Sequence, residues 1–480
     1  MSIRKSLAWS YGSQAITFVV SFSGSVIVAR LLTPREVGIY ALATATAAVL
    51  AIFMTFSIHA YLVREETVDR ALLRSVFTVN AALNVALSAV LFGMSVIETY
   101  YLGQADVGTV LALTSIAPLI AIFEFIPTAL SMREMRYGLI SAVNVLRVVL
   151  ASGVTVVLAM RGYGAVSMAI GPLVAGVVCA STYTVTRWRD TVFTPSFARF
   201  GPIIVFGAQM ISISGVAQLA NRGSDIILGR IIGLSGLGLY SRASSIQALI
   251  FSNVYGAATG VIFSQMSREL RENGSLHKIF ITSIRNIIGI MWPLVIGLAI
   301  LSKPVIFILY GPRWIGAAMP LSLLMLSLFV ALGFGMNWEL FVLRKETARQ
   351  ARFELYRAII GTSVFTLGCL YGIVWAAAAR VLESVIGYIL YRPHMDRLAG
   401  TRPGELERVY GEALALMAVA VAPSLLLMLW ARWSPNTPLW QIGISIVLGG
   451  LAWITLLRAR HHPLIDEVQQ VFARVKGRHI

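Results

Sequence analysis

Seven ionisable side chains interrupt otherwise apolar stretches of this 480-residue chain: Arg147, Arg222, Arg242 and Arg380, with Glu124, Asp225 and Glu383. A guanidinium presents a planar fork of donors that can grip the oxygens of a carboxylate or a phosphate two at a time. Arg222 and Arg380 each have an acid three residues on, Asp225 and Glu383, a spacing that puts base and acid on one face of a helix. Two chemistries are open to such a pair: the arginine binds an anionic ligand, or acid and base neutralise each other inside a packed bundle. Arg147 and Arg242 have a third option, because a long side chain can carry its charge to the nearest interface. Glu124 stands between Phe123 and Phe125, ahead of Pro127, with no cation close to it in sequence. It suits a protonated carboxyl and is the candidate for proton coupling.

The elements that must position these groups are membrane spans. The chain is 57% hydrophobic and 13% charged, with a mean hydropathy of +0.78, which excludes an ordinary soluble globular protein. A bilayer core of about 30 Å takes roughly 20 apolar residues per helix, and runs of that length recur from the first residues to residue 458. Strands of a barrel would instead show alternating segments of about 10 residues. The expected fold is all-α and integral to the membrane, with about fourteen helices at 6–31, 37–62, 75–97, 109–130, 138–160, 164–186, 203–228, 237–262, 286–309, 317–338, 355–372, 373–391, 409–430 and 438–457. At 1.5 Å per residue from each outer turn, Arg222 and Arg380 lie ~12 Å deep, Arg242 ~6–8 Å, and Arg147 and Glu124 ~22 Å. Ionisable residues at such depths by default face a cavity or a partner.

The loop charges check the count. With the N-terminus inside, inner segments hold 28 of the 39 Lys and Arg, outer segments 7, and the remaining four lie within spans. Cytoplasmic loops carry such an excess, and a miscount by one helix would scramble it downstream. Both termini are expected in the cytoplasm. Arg4 and Lys5 ahead of an apolar stretch resemble a signal peptide, but the stretch continues to about Leu32 and reads as an uncleaved first helix. The net charge of +17 is spread over short loops, not gathered on a soluble face, so no nucleic-acid partner is expected. Cys179 and Cys369 each fall inside a span and read as packing residues; neither a disulfide nor a metal site is expected, and no cofactor.

Arg30-Leu31-Leu32 followed by Gly38-Ile39-Tyr40 is echoed 200 residues later by Arg230-Ile231-Ile232 and Gly238-Leu239-Tyr240. Arg147 precedes Gly162 by 15 residues, as Arg357 precedes Gly372; Tyr11-Gly12-Ser13-Gln14 is matched by Phe206-Gly207-Ala208-Gln209. The expected organisation is an N-lobe of helices 1 to 6 (residues 1–200), a C-lobe of helices 7 to 12 (201–400), and helices 13 and 14 with a basic cytoplasmic tail (401–480). Six helices per copy relate the lobes by an axis along the membrane normal, with a substrate pathway between them. The last two helices are either a groove for a lipid tail or added packing surface.

The turn Ala29-Arg30-Leu31-Leu32-Thr33-Pro34-Arg35-Glu36-Val37-Gly38-Ile39-Tyr40 resembles the helix 1 to helix 2 turn of bacterial polysaccharide transporters. Asp225 to Gly233, running on to Tyr240, is similar to their helix 7 to helix 8 turn, and Tyr310-Gly311-Pro312-Arg313-Trp314 to the turn after helix 9. With fourteen helices, the resemblance spans the chain and points to the polysaccharide transporter branch of the multidrug/oligosaccharidyl-lipid/polysaccharide flippase superfamily. It implies a V-shaped pair of pseudo-symmetric six-helix lobes around a central cavity. It also implies a cargo: an undecaprenyl-diphosphate-linked oligosaccharide repeat unit, flipped across the bacterial inner membrane by alternating access and then passed to a polysaccharide polymerase. On this reading Arg222, Arg380, Arg242 and Arg147 bind substrate, while Asp225, Glu383 and Glu124 pair charges or couple transport to a proton or sodium ion. A multidrug extruder or a peptidoglycan-precursor flippase of the same superfamily is the alternative; four buried bases against three acids argue against organic cations as cargo. A membrane glycosyltransferase or polymerase would need catalytic motifs, and no D-x-D, H-E-x-x-H or G-x-S-x-G is present.

Overall fold

Backbone polar groups in lipid must be satisfied within their own segment. In the computed structural model the described residues accordingly form helices and no strand. The structure describes residues 3–54, 62, 68–188, 194–198, 201, 203–204, 219, 222–460 and 462–465. Among them, 13 helical segments are long and apolar enough to cross a membrane. The expected seventh span, 203–228, lies largely outside the described residues, as do the echo Phe206–Gln209 and the loop around residue 190. The chain divides into two compact units, Met1–Ser241 and Arg242–Ile480.

The first unit holds α1 (Ile3–Leu31), α2 (Pro34–Met54), α3 (Arg70–Val96), α4 (Ala105–Thr114), α5 (Ile116–Arg133), α6 (Tyr137–Met160) and α7 (Ala165–Thr186). Asp69 caps α3, its carboxylate accepting from Leu72 N–H at 2.7 Å. A π turn, Ile97–Tyr101, ends α3. The span expected at 109–130 is observed as α4 plus α5, interrupted at Ser115, whose hydroxyl donates to Ala112 O at 2.6 Å. Small residues let these helices close on one another: a methyl group on Gly171 of α7 would lie 2.6 Å from Ala151 O of α6.

The repeated turn motif has a spatial meaning. Pro34 opens α2, and Glu36 accepts from Thr33 N–H at 2.7 Å and Thr33 Oγ1 at 2.8 Å, closing the turn. The matching helix, α8 (Leu234–Ile250), begins four residues before Gly238 as α2 begins four before Gly38. The two glycines meet. A methyl group on Gly38 would collide with Leu234 O and lie 3.2 Å from Gly238 N; one on Gly238 would collide with Pro34 O and lie 3.1 Å from Gly38 N. The echo in the sequence is thus a reciprocal contact, in which each glycine exists to admit the other's backbone.

Beyond the start of α8, the second unit continues through a π turn (Phe251–Tyr255), α9 (Gly256–Asn273), α10 (His277–Ile300), α11 (Ser302–Tyr310), a short 3-10 segment (Pro312–Ala317), α12 (Ala318–Gly333) and α13 (Asn337–Leu343). It ends with α14 (Thr347–Leu370), α15 (Ile373–Ala399), α16 (Glu405–Trp430) and α17 (Leu439–Ala459). Gly311, at φ +93°, turns the chain sharply so that Trp314 is fully buried. The expected continuous span 317–338 is instead broken at Phe334-Gly335-Met336, with Met336 at φ +63°. Tyr255 OH accepts from Met336 N–H at 2.9 Å and Asn337 Nδ2 donates to Phe334 O at 2.8 Å, satisfying groups that the break exposes.

Both units carry the same clamp at one end. Arg187 grips Glu134 with two bonds of 2.8 and 2.6 Å, and Arg397 grips Glu346 with two of 2.7 Å. The positive-φ residues Met135 and Lys345 adjoin the two glutamates. The bidentate guanidiniums hold both carboxyls below the usual carboxylate range.

Candidate functional site

In the second unit, α14 and α15 bring four charges into one line. Arg380 donates to Glu383 at 2.7 Å, Glu383 also faces Arg357 at 3.6 Å, and Arg357 reaches Glu354 at 3.2 Å. Glu354 in turn accepts from Tyr391 OH at 2.8 Å. The expected Arg380–Glu383 pair is therefore formed, as one rung of a Glu354–Arg357–Glu383–Arg380 ladder. Two glycines give it room: a methyl group on Gly361 would sit 2.8 Å from Glu383 Cδ, and one on Gly387 would sit 3.3 Å from Arg357 Cδ. Arg380 also lies over the Phe365 ring at 4.3 Å, where the ring face attracts the cation.

In the first unit, Arg147 of α6 donates to Glu124 of α5 at 2.6 Å. The cation that Glu124 lacks nearby in sequence comes from the next helix, 23 residues away. The pair places the Arg147 guanidinium on an acid, not at a lipid headgroup. The second oxygen of Glu124 is buried without a hydrogen-bond partner among the described residues. Arg147 and Arg357, each 15 residues before a glycine, draw their acids from different places: α5 for Arg147, and both α15 and its own helix for Arg357.

The other candidates are placed differently. Arg242 is buried, 6% exposed, with its guanidinium 5.9 Å from the Tyr310 ring and 5.7 Å from the Trp314 ring. It packs against the turn after α11, which explains why that turn carries two aromatics. Arg222 is exposed and Asp225 half-buried in a helical stretch described over residues 222–231. At the other end of that stretch Arg230 pairs with Glu98, which is fully buried in the π turn after α3. Sequence reasoning passed over Arg357 and Glu98. The echo of Arg147 was the available signal for the first; the second sits at a span end, where acids are ordinary.

An apolar groove of about 450 Å³ lies between α10, α16 and α17, walled by Leu294, Leu301, Ala420, Ile446 and Trp453. Gly449 of α17 has no room for a methyl group beside Ala420 O, so the two last helices are pressed together at its floor. No group of three or more His, Cys, Asp or Glu side chains is arranged to hold a metal among the described residues.

The sequence profile of a family described as polysaccharide biosynthesis protein matches residues 27–319. The chain belongs to that family. Family relatives include the succinoglycan biosynthesis transport protein ExoT of Rhizobium meliloti (strain 1021), 24% identical over 327 residues, 68% of this chain and 66% of ExoT. The lipopolysaccharide biosynthesis protein WzxC of Escherichia coli (strain K12) is 20% identical over 508 aligned positions, covering 99% of this chain and 98% of WzxC. Among solved structures, the fold is similar to the lipid II flippase MurJ in an inward closed conformation, with TM-score 0.76 and 14% identity over 96% of this chain and all of MurJ. A multidrug resistance MATE transporter, inward-facing, is similar at TM-score 0.54 and 16% identity, covering 80% of this chain and 95% of that one. The likeness to these structures shows the all-α fold, and the 13 apolar helical segments are those of a multi-pass membrane protein.

Proposed function

We propose that the protein is a flippase for a lipid-linked oligosaccharide, of the undecaprenyl-diphosphate type, working by alternating access in the bacterial inner membrane. The observation that carries this reading is the pair of arginines Arg147 and Arg357, each 15 residues before a glycine and each held inside the helices by a carboxylate on a neighbouring helix. A guanidinium clamped by an acid is stable in a membrane yet remains poised for an anion of better geometry. A diphosphate that takes the arginine leaves the carboxylate uncompensated, and that acid must then accept a proton or a sodium ion. Cargo binding and ion coupling would so be one event, with Glu124 and Glu383 as the coupling groups. The ladder including Arg380 serves the same headgroup, and the exposed Arg222 is a further contact. The apolar groove beside α16 and α17 suits a polyprenyl chain, and a polymerase would receive the product. ExoT's transport role in succinoglycan biosynthesis supports this cargo class.

The test is flipping of a fluorescent undecaprenyl-diphosphoryl sugar in vesicles containing the purified protein. Changing Arg147→Gln together with Glu124→Gln removes both charges at once, so the fold keeps no orphan. Flipping is expected to fall sharply with unfolding temperature unchanged; normal flipping would end the assignment.

A further inference from the structure

Three irregularities of the second unit converge on one cavity of about 180 Å³: the π turn of residues 251–255, the break between α12 and α13, and the ladder. π turns inside helices frequently mark functional sites, and interrupted helices in transporters free polar groups for ligands. We propose that this cavity is a subsite for a single sugar ring of the cargo. The inference rests on the flippase reading and adds to it the recognition of a carbohydrate.

The lining decides the ligand class. Arg357 and Glu383 stand together in the wall, 3.6 Å apart, so while they are paired their charges balance and a neutral group can sit beside them. What the wall offers is both donors and acceptors around apolar rings, which matches a neutral polyol. Tyr255 OH accepts from Met336 N–H and still has its own hydrogen to donate. Asn337 spends Nδ2 on Phe334 O and keeps its carbonyl as an acceptor. The Phe251 and Tyr255 rings stack with centroids 4.8 Å apart, and Phe334 stands with them in the lining, giving apolar faces for the C–H side of a pyranose. The volume equals that of about six water molecules, enough for one ring and too small for an oligosaccharide. Phe251 is exposed, so the cavity has an open side.

The experiment compares two kinds of probe on the full chain in lipid nanodiscs: bare undecaprenyl diphosphate, and undecaprenyl diphosphate bearing glucose, galactose or N-acetylglucosamine. Wild type should bind at least one sugar-bearing probe about tenfold more tightly than the bare one, the scale of one or two hydrogen bonds. Phe251→Ala and Asn337→Ala should each erase that preference while leaving affinity for the bare diphosphate unchanged. Phe251 is exposed, so its variant separates loss of recognition from loss of fold. Equal weakening of all probes, or an unaltered preference in both variants, overturns the subsite. Failure of wild type to bind any probe overturns the lipid-diphosphate reading itself, a result distinguishable from either.

Discussion

Glu383 accepts a hydrogen bond from Arg380 at 2.7 Å and also pairs with Arg357 at 3.6 Å, while Arg357 has a second acid in Glu354 at 3.2 Å. Charge removal therefore has unequal consequences. Arg380→Ala leaves Glu383 facing Arg357. Glu383→Ala takes the shared acid from both bases at once, and breaking a buried ion pair costs up to about 3–5 kcal/mol. Thermal unfolding in detergent should show Glu383→Ala well below Arg380→Ala, with Arg380→Ala/Glu383→Ala recovering part of the difference. Equal losses in the two single variants would mean that the acid is not shared. The double variant should still transport poorly if Arg380 serves the diphosphate; normal surface-polysaccharide export at matched abundance would remove it from the site.

At the scale of elements, the end of α17 shows how a short segment is held. His462 and Leu464 are both buried, with Leu464 packed on Leu416 and Leu457, and His462 against Gly289 of α10. Burial first, and the Arg285 charge second, push the His462 imidazole down to about 4. An undocked histidine titrates near 6.5, so docking is fully favoured above that value and weakens as pH falls from about 6.5 towards 4. Protection of the Leu464 and Ile465 amides, taken as exchange relative to the intrinsic rate at each pH, should fall from pH 7 to pH 5, and His462→Phe should flatten the response; the same loss of protection in the variant would refute the account. Hydropathy and charge made most helices legible, because a span needs little more than apolar length. The break at Phe334-Gly335-Met336 was not legible: no proline or charge stands at residues 330–336, and the feature depends on Tyr255 of another helix. The Arg147 partner of Glu124 was hidden for the same reason, since it comes from the next helix. Arg380 with Glu383 was readable because both partners lie on one helical turn, while the Arg187–Glu134 clamp joins residues 53 apart.

For the whole molecule, the loop charges make a topological demand: reporter fusions should place Gly103 outside and residues 392–408 inside, and a periplasmic signal from the second would break the even count of helices. The reciprocal glycine contact makes a demand on motion. If cargo crosses by alternating access, as proposed, the turn ends of α2 and α8 cannot stay in contact through the cycle, because the Gly38 and Gly238 backbones leave no gap between them. Their lack of side chains then serves the closed state alone: a larger residue at either position collides with the other helix when the ends meet and is indifferent when they part. Closely packed interfaces respond to such a collision by switching state and not by stretching. Gly38→Val and Gly238→Val should thus favour separated ends. Spin labels at Leu31 and Ile231, both exposed, should report a longer mean distance in either variant than in wild type, with transport lowered because the cycle stalls. The Gly38→Val/Gly238→Val double variant should add little, since one collision already parts the helices. An unchanged distance distribution with wild-type transport would show that the contact is neither tight nor part of the cycle.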